Sequence, residues 1–320
     1  MAIAIPYVRD LEIEYGRVDQ ISPLIRRVVA HNPSKFTYLG TGTYIIGHGR
    51  VAVIDPGPAL PDHVDAILAA LEPGELITHL VITHTHTDHS PAAALLQPRT
   101  GAPTYGYGPH GALAPDDPTD VVVFGDREAD GHSPPDGDEL REGADTAFRP
   151  DHVITDGRRL DGPSWTLEAV HTPGHTSNHV CYALVEERAL LTGDHVMGWS
   201  TSVIGPPDGN VNDYVASLDR LLRRADIRYW PTHGPAVEHP HELVRAYIAH
   251  REERTEQILA ALAGGSETIA EIVPILYAQV SKGLWRAAGA SVYAHLLALV
   301  ADGRVTTEGP ARRTSRYRLA

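Results

Sequence analysis

The feature that most constrains this chain is Thr83-His84-Thr85-His86-Thr87-Asp88-His89, where three imidazoles and a carboxylate follow directly on the apolar run Leu80-Val81-Ile82. That run reads as a buried strand, too short for a typical helix. Polar side chains packed so densely at a strand end carry a desolvation cost of roughly several kcal/mol unless something binds them. A metal is the natural partner. His84 and His86, two apart on an extended backbone, can point the same way. Asp88 and His89 lie past the strand end and can turn elsewhere, so the spacing fits two ions better than one.

Other strand ends repeat the pattern. A strand over Gly162–Val170 runs into His171-Thr172-Pro173-Gly174-His175-Thr176, and strands over Val180–Val185 and Ala189–Leu191 lead to Thr192-Gly193-Asp194-His195. A helix over Asn212–Ala225, capped by Asn212 or Asp213, precedes Tyr229-Trp230-Pro231-Thr232-His233-Gly234. Three further elements thus finish in His or Asp beside Gly or Pro, as a metal site assembled at one edge of two sheets requires. Upstream, Ile25–Val29, Thr43–Ile46 and Val51–Ile54 read as consecutive antiparallel strands, followed by the Asp55-Pro56-Gly57-Pro58 turn and a helix over 61–71. Pro91–Leu96 opens a short helix after the histidine loop. Strand, loaded loop, helix is the order in which α/β folds place ligands.

From about 114 to 151 the chain becomes acidic and rich in Pro and Gly, with Val121–Phe124 its one apolar run. This reads as an insertion over the surface, a lid or a partly disordered segment. The tail, 241–320, differs again. It offers a long charged helix over His241–Leu262, helices over Thr268–Ala278 and Trp285–Ala301, and a hairpin from Gly303–Thr307 and Ser315–Leu319. Two helices and a two-stranded wing are the order of a winged-helix module. The domains expected are therefore 1–240, catalytic, and 241–320, a helical linker with the winged helix.

The net charge of -14 is uneven: the tail carries ten Lys and Arg against eight Asp and Glu, so the first 240 residues hold 17 against 33. A surface of that sign gathers a polyanion poorly. Apolar runs are interrupted well before the roughly 20 residues of a membrane span, and the first residues lack a signal pattern, so a cytoplasmic protein is expected. The single cysteine, Cys181, lies in an apolar run and reads as core.

Taken together, the His84-x-His86-x-Asp88-His89 stretch, the TPGHT at 172–176, the TGD at 192–194 and the THGP at 232–235 resemble the metallo-β-lactamase superfamily. With Asn32-Pro33, the GTGTY at 40–44 and the tail, the likeness narrows to the beta-lactamase-like protein 2 (endoribonuclease) group, from which Gly42 and the acidic insertion depart. The resemblance implies an α/β fold, the αβ/βα sandwich, followed by a small winged-helix domain. It implies two metal ions, with His84, His86 and His175 on one, Asp88, His89 and His233 on the other, and Asp194 bridging. Zinc suits these ligands, and iron or manganese also fit. Asp55 is expected to orient a ligand histidine. Hydroxide held between the metals would be the nucleophile, with Asp88 and Asp194 aligning it and His179 a candidate proton donor.

The function expected is hydrolysis of a small acyl compound, a thioester, lactone or lactam; the alternative is single-stranded RNA cleavage, guided by Arg312, Arg313, Arg316 and Arg318. A DNA-binding regulator is the remote third reading, since Trp285–Ala301 offers only Arg286 as a fixed positive charge. The tail is expected to pack on the core or on a second copy of the chain.

Overall fold

A computed structural model describes residues 4–111 and 143–320. The first sheet is built from β1 (Val18–Ser22), β2 (Ile25–Val29), β3 (Gly42–Ile46), β4 (Arg50–Ile54), β5 (Leu76–Val81), β6 (Thr104–Gly106) and β7 (His152–Val153), hydrogen-bonded in chain order. Its first four strands are antiparallel; β4, β5, β6 and β7 run parallel, with α1 (Pro61–Ala69) and α2 (Ala93–Thr100) as connections. The second sheet has the order β12 (Arg228–Pro231), β11 (Ala189–Gly193), β10 (Val180–Leu184), β9 (Thr166–His171), β8 (Arg159–Asp161), and α3 (Val211–Leu221) connects β11 to β12.

Period-two alternation decides which side chains meet. Ala52 and Ile54 of β4 face Leu167, Tyr182 and Leu191 of the second sheet, whereas Val51 and Val53 turn outward onto Val64 and Ile67 of α1. In β10, Tyr182 and Leu184 point between the sheets while Cys181 and Ala183 meet Leu218 and Leu221 of α3. The result is helix, sheet, sheet, helix, the αβ/βα sandwich the resemblance implied. Cys181 is buried, as expected.

The tail follows as α4 (Pro240–Ala263), α5 (Ile269–Leu276), α6 (Trp285–Ala301) and the hairpin β13 (Val305–Thr307) with β14 (Tyr317–Leu319). A capping box closes the start of α5, Thr268 and Glu271 satisfying each other's backbone amides. The first half of α4 packs Leu243, Val244 and Tyr247 on the second sheet, and its second half puts Ile258 and Leu262 into the tail core. Lys282–Ala301 is, by length and composition, apolar enough to cross a membrane, contrary to the reading of the sequence. Its Val292, Leu296 and Leu299 are buried against the other tail helices.

Two further expectations need correction. The cap of α3 is Asn210, whose side chain accepts from the amides of Asn212 and Asp213; those two residues are already helical. The acidic insertion ends earlier than 151. Val121–Phe124 and the lid reading fall outside the described residues, but 143–151 belongs to the framework. Asp145 N–H donates to the Thr85 carbonyl at 2.8 Å, Thr87 N–H donates to Gly143 at 2.8 Å, and Phe148 packs with the core beneath α2.

Candidate metal centre

The strand ends of both sheets converge as the motifs require. Leaving β5, the chain runs through His84 and His86 to Asp88 and His89; the turn after β9 supplies His175, the end of β11 Asp194, and the end of β12 His233. Glycines make two of these turns feasible. Gly193 has φ +50, and a Cβ there would lie 2.6 Å from His179 Nε2; Gly174 has φ +136, and a Cβ would lie 2.3 Å from the Tyr214 backbone.

Donor atoms gather in overlapping sets. His84, His86 and His175 form one, Asp88, His89 and His233 another, and His84, His89 and Asp194 link them, each within 4.8 Å. His84 Nε2 and His175 Nε2 lie 3.0 and 3.1 Å from His86 Nδ1. In the other set, His233 Nε2 is 3.1 Å from Asp88 Oδ2 and 3.4 Å from Asp194 Oδ2, and His89 Nε2 is 3.4 Å from Asp88. Tetrahedral ligands about 2.1 Å from zinc lie roughly 3.4 Å from one another, so these spacings suit shared cations.

The outward nitrogens are tied down. His89 Nδ1 donates to Asp55 at 2.9 Å, His175 Nδ1 to the Val203 carbonyl at 2.6 Å, and His233 Nδ1 to the Gly40 carbonyl at 3.1 Å. Thr83 Oγ1 donates to Asp55 at 2.7 Å and so accepts from His84 Nδ1 at 3.1 Å. Each partner fixes the tautomer that presents a bare Nε2 to the centre. His89 Nε2 and Asp194 Oδ1 are buried there 3.6 Å apart, neither making a hydrogen bond. Polar atoms so held, anchored behind and without a hydrogen bond in front, fit a metal.

Electrostatics divides the cluster. Burial, reinforced by neighbouring imidazoles, pushes His84 and His86 well below the ordinary histidine pKa, so that half is neutral. Burial also opposes charge on His89 and His233, but Asp88 and Asp194 outweigh it, lifting His89 well above its ordinary value and His233 to about 10. Those imidazoliums in turn overcome burial at Asp88 and Asp194, holding both far below the usual carboxylate range.

His179 is placed differently from the sequence expectation. Its ring is fully buried behind Asp194, Nε2 accepting the Asp194 amide at 3.2 Å and Nδ1 facing Thr172 Oγ1 at 2.9 Å, and burial pushes its pKa well down. That geometry steadies Asp194 and offers no proton to the cleft. Tyr214 is core, and Trp199 stacks on Tyr38 at 5.0 Å. The sequence reading passed over His110, whose Nδ1 lies 2.9 Å from Thr85 Oγ1 and whose ring is 6.0 Å from that of His86. No spacing signal marks it. A surface cleft of about 500 Å³ is lined by Tyr107, Pro109, His171, Ser177 and Asn178 and by none of the seven donor residues.

A two-sheet αβ/βα sandwich with a His and Asp cluster at its strand ends defines a class of hydrolases. The chain belongs to the metallo-beta-lactamase superfamily, whose family model matches residues 38–257, and the beta-lactamase associated winged helix domain matches residues 268–313. It is 28% identical over 312 residues to the atrochrysone carboxyl ACP thioesterase dmxR1 of Cryptosporiopsis sp., covering 91% of this chain and 84% of that protein. The beta-lactamase-like protein 2 homolog of Caenorhabditis elegans is 29% identical, with 90% and 88% covered. Among solved structures, a beta-lactamase domain protein from Burkholderia ambifaria shares the fold with a TM-score of 0.75 at 18% identity, covering 99% of this chain and 97% of that one.

Proposed function

We propose that the protein is a dinuclear metal-dependent hydrolase of a small acyl substrate, a thioester foremost. The observation that carries the metal reading is the convergence of seven donors, with far nitrogens anchored, at whose focus His89 Nε2 and Asp194 Oδ1 stand 3.6 Å apart without a hydrogen bond. His84, His86 and His175 would hold one ion, Asp88, His89 and His233 the other, with Asp194 between them. Zinc at these positions would supply a Lewis acid and lower the pKa of water towards neutrality. The chain's own groups do the rest. Asp55, Val203 and Gly40 orient imidazoles, His179 holds the Asp194 backbone amide, and Thr41 Oγ1 donates to Asp88 at 3.2 Å.

Two observations favour a small acyl substrate over RNA. The net charge is -14, and one relative is named a thioesterase. The tail arginines are also engaged: Arg316 and Arg318 both pair with Glu267, and Arg313 lies over the Tyr293 ring at 5.7 Å. Assaying the zinc-reconstituted protein on thioesters and lactones beside labelled single-stranded RNA tests the reading. Thioester turnover that is lost in Asp194→Asn supports it; RNA cleavage without acyl hydrolysis would overturn the substrate class.

A further inference from the structure

We propose that Arg251 of α4 is a positioning residue for the metal centre, holding the loop between Asp194 and Val203 so that Val203 orients His175. The inference rests on the metal reading above. Arg251 is 6% exposed and sits between the part of α4 that packs on the second sheet and the part that enters the tail core. Its Nη2 donates to the Ser202 carbonyl at 2.6 Å. The next carbonyl along the chain, that of Val203, accepts His175 Nδ1–H at 2.6 Å. The Ser202 hydroxyl turns back to the carbonyls of Asp194 and His195. One guanidinium therefore fixes a peptide that touches two residues of the centre, His175 through Val203 and Asp194 through Ser202.

The surrounding contacts point the same way. Residues 197–205 form neither helix nor strand, so side-chain bonds largely shape their backbone. Tyr247, one turn before Arg251, reaches the carbonyls of Met197 and Ser200, and Tyr214 donates to the His195 carbonyl at 2.8 Å. The Arg251 guanidinium lies over the Tyr214 ring at 5.3 Å. A charge-assisted bond from a buried, ring-supported guanidinium is stronger and better directed than a neutral one. The helix that carries the winged tail is thereby part of what holds the metal site.

The test is metal affinity, measured by chelator competition with zinc and by the absorption of the cobalt-substituted protein. Arg251→Met keeps an unbranched side chain of similar bulk and removes the donor. It is expected to weaken binding by about 10- to 100-fold and to change the cobalt bands, as loss of a group that orients a ligand does. Should it fail to fold, Arg251→Gln, too short for the Ser202 carbonyl, carries the same expectation. Asn212→Ala is the control: it removes the 2.7 Å bond to Asp302, which also joins core to tail but lies away from the 194–203 loop. Its metal affinity should be unchanged. Wild-type affinity and spectrum in the Arg251 variants, or equal weakening in Asn212→Ala, would overturn the inference alone. An unsubstituted protein that binds no metal would overturn the metal reading and this inference together.

Discussion

Asp55 and His89 are joined by a 2.9 Å hydrogen bond, and the same buried carboxylate accepts from Thr83 N at 2.8 Å, Thr83 Oγ1 at 2.7 Å and Thr232 Oγ1 at 3.0 Å. One side chain thus ties together the end of β5, the histidine loop and the turn that carries His233. Asp55 itself holds φ +47, a conformation most side chains avoid. Asp55→Asn should destabilise the fold by about 2–4 kcal/mol, because it sets an amide against donors that need an acceptor. It should also weaken metal binding by about tenfold or more. Denaturant unfolding and metal titration check both; an unaltered midpoint with unaltered affinity would contradict the tie.

Asp145 links the histidine loop to the segment entering β7. Its carboxylate accepts from Ser90 Oγ at 2.8 Å and from Phe148 N at 3.1 Å. Asp145→Ala is expected to cost about 1–3 kcal/mol by leaving those donors unpaired. Hydrogen exchange at the Asp145 and Thr87 amides, which bond to the Thr85 and Gly143 carbonyls, should rise with it. If stability and exchange stay the same, 143–151 lies on the loop without supporting it.

His295 of α6 gives the tail an acid-sensitive point. Burial, with Arg251, Arg254 and His250 nearby, lowers its pKa from 6.5 to about 3. The unfolded chain therefore binds a proton that the folded chain refuses between these values, so stability rises with pH through the window and is complete above 6.5. Below 6.5 the loss should approach about 1.4 kcal/mol per pH unit. Denaturation of His295→Gln from pH 7 to 5 should show a shallower fall than the unsubstituted protein; parallel curves would exclude His295 as the cause.

Replacing Arg316 and Arg318 by Gln should leave acyl turnover unchanged, since both exposed guanidiniums are paired with the half-buried Glu267. Kinetics at low and high salt checks this. A large drop in turnover confined to RNA would show that the pair serves a nucleic acid.

The parts of this protein written in residue type were legible in its sequence. His and Asp at strand ends announced the donor set, and α6 runs from Trp285 to Ala301 as its mostly apolar, alanine-rich sequence leads one to expect. What escaped was written in backbone. Gly40 and Val203 anchor histidines through carbonyls, which any residue supplies, and Arg251 meets Ser202 across 49 positions of chain. Strand β1, VDQIS, is a mostly polar edge with no clean alternation. His179 carries the right residue type four positions after His175, yet the turn between them places it behind Asp194, a difference only the fold decides.

The central claim is two metal ions on seven side chains. Elemental analysis of protein reconstituted with zinc and freed of excess, run beside Asp194→Ala, tests it most directly. The account predicts two equivalents per chain in the unsubstituted protein and a loss of metal in the variant, because Asp194 touches both donor sets. One equivalent or none in the unsubstituted protein, or two retained in Asp194→Ala, would contradict it.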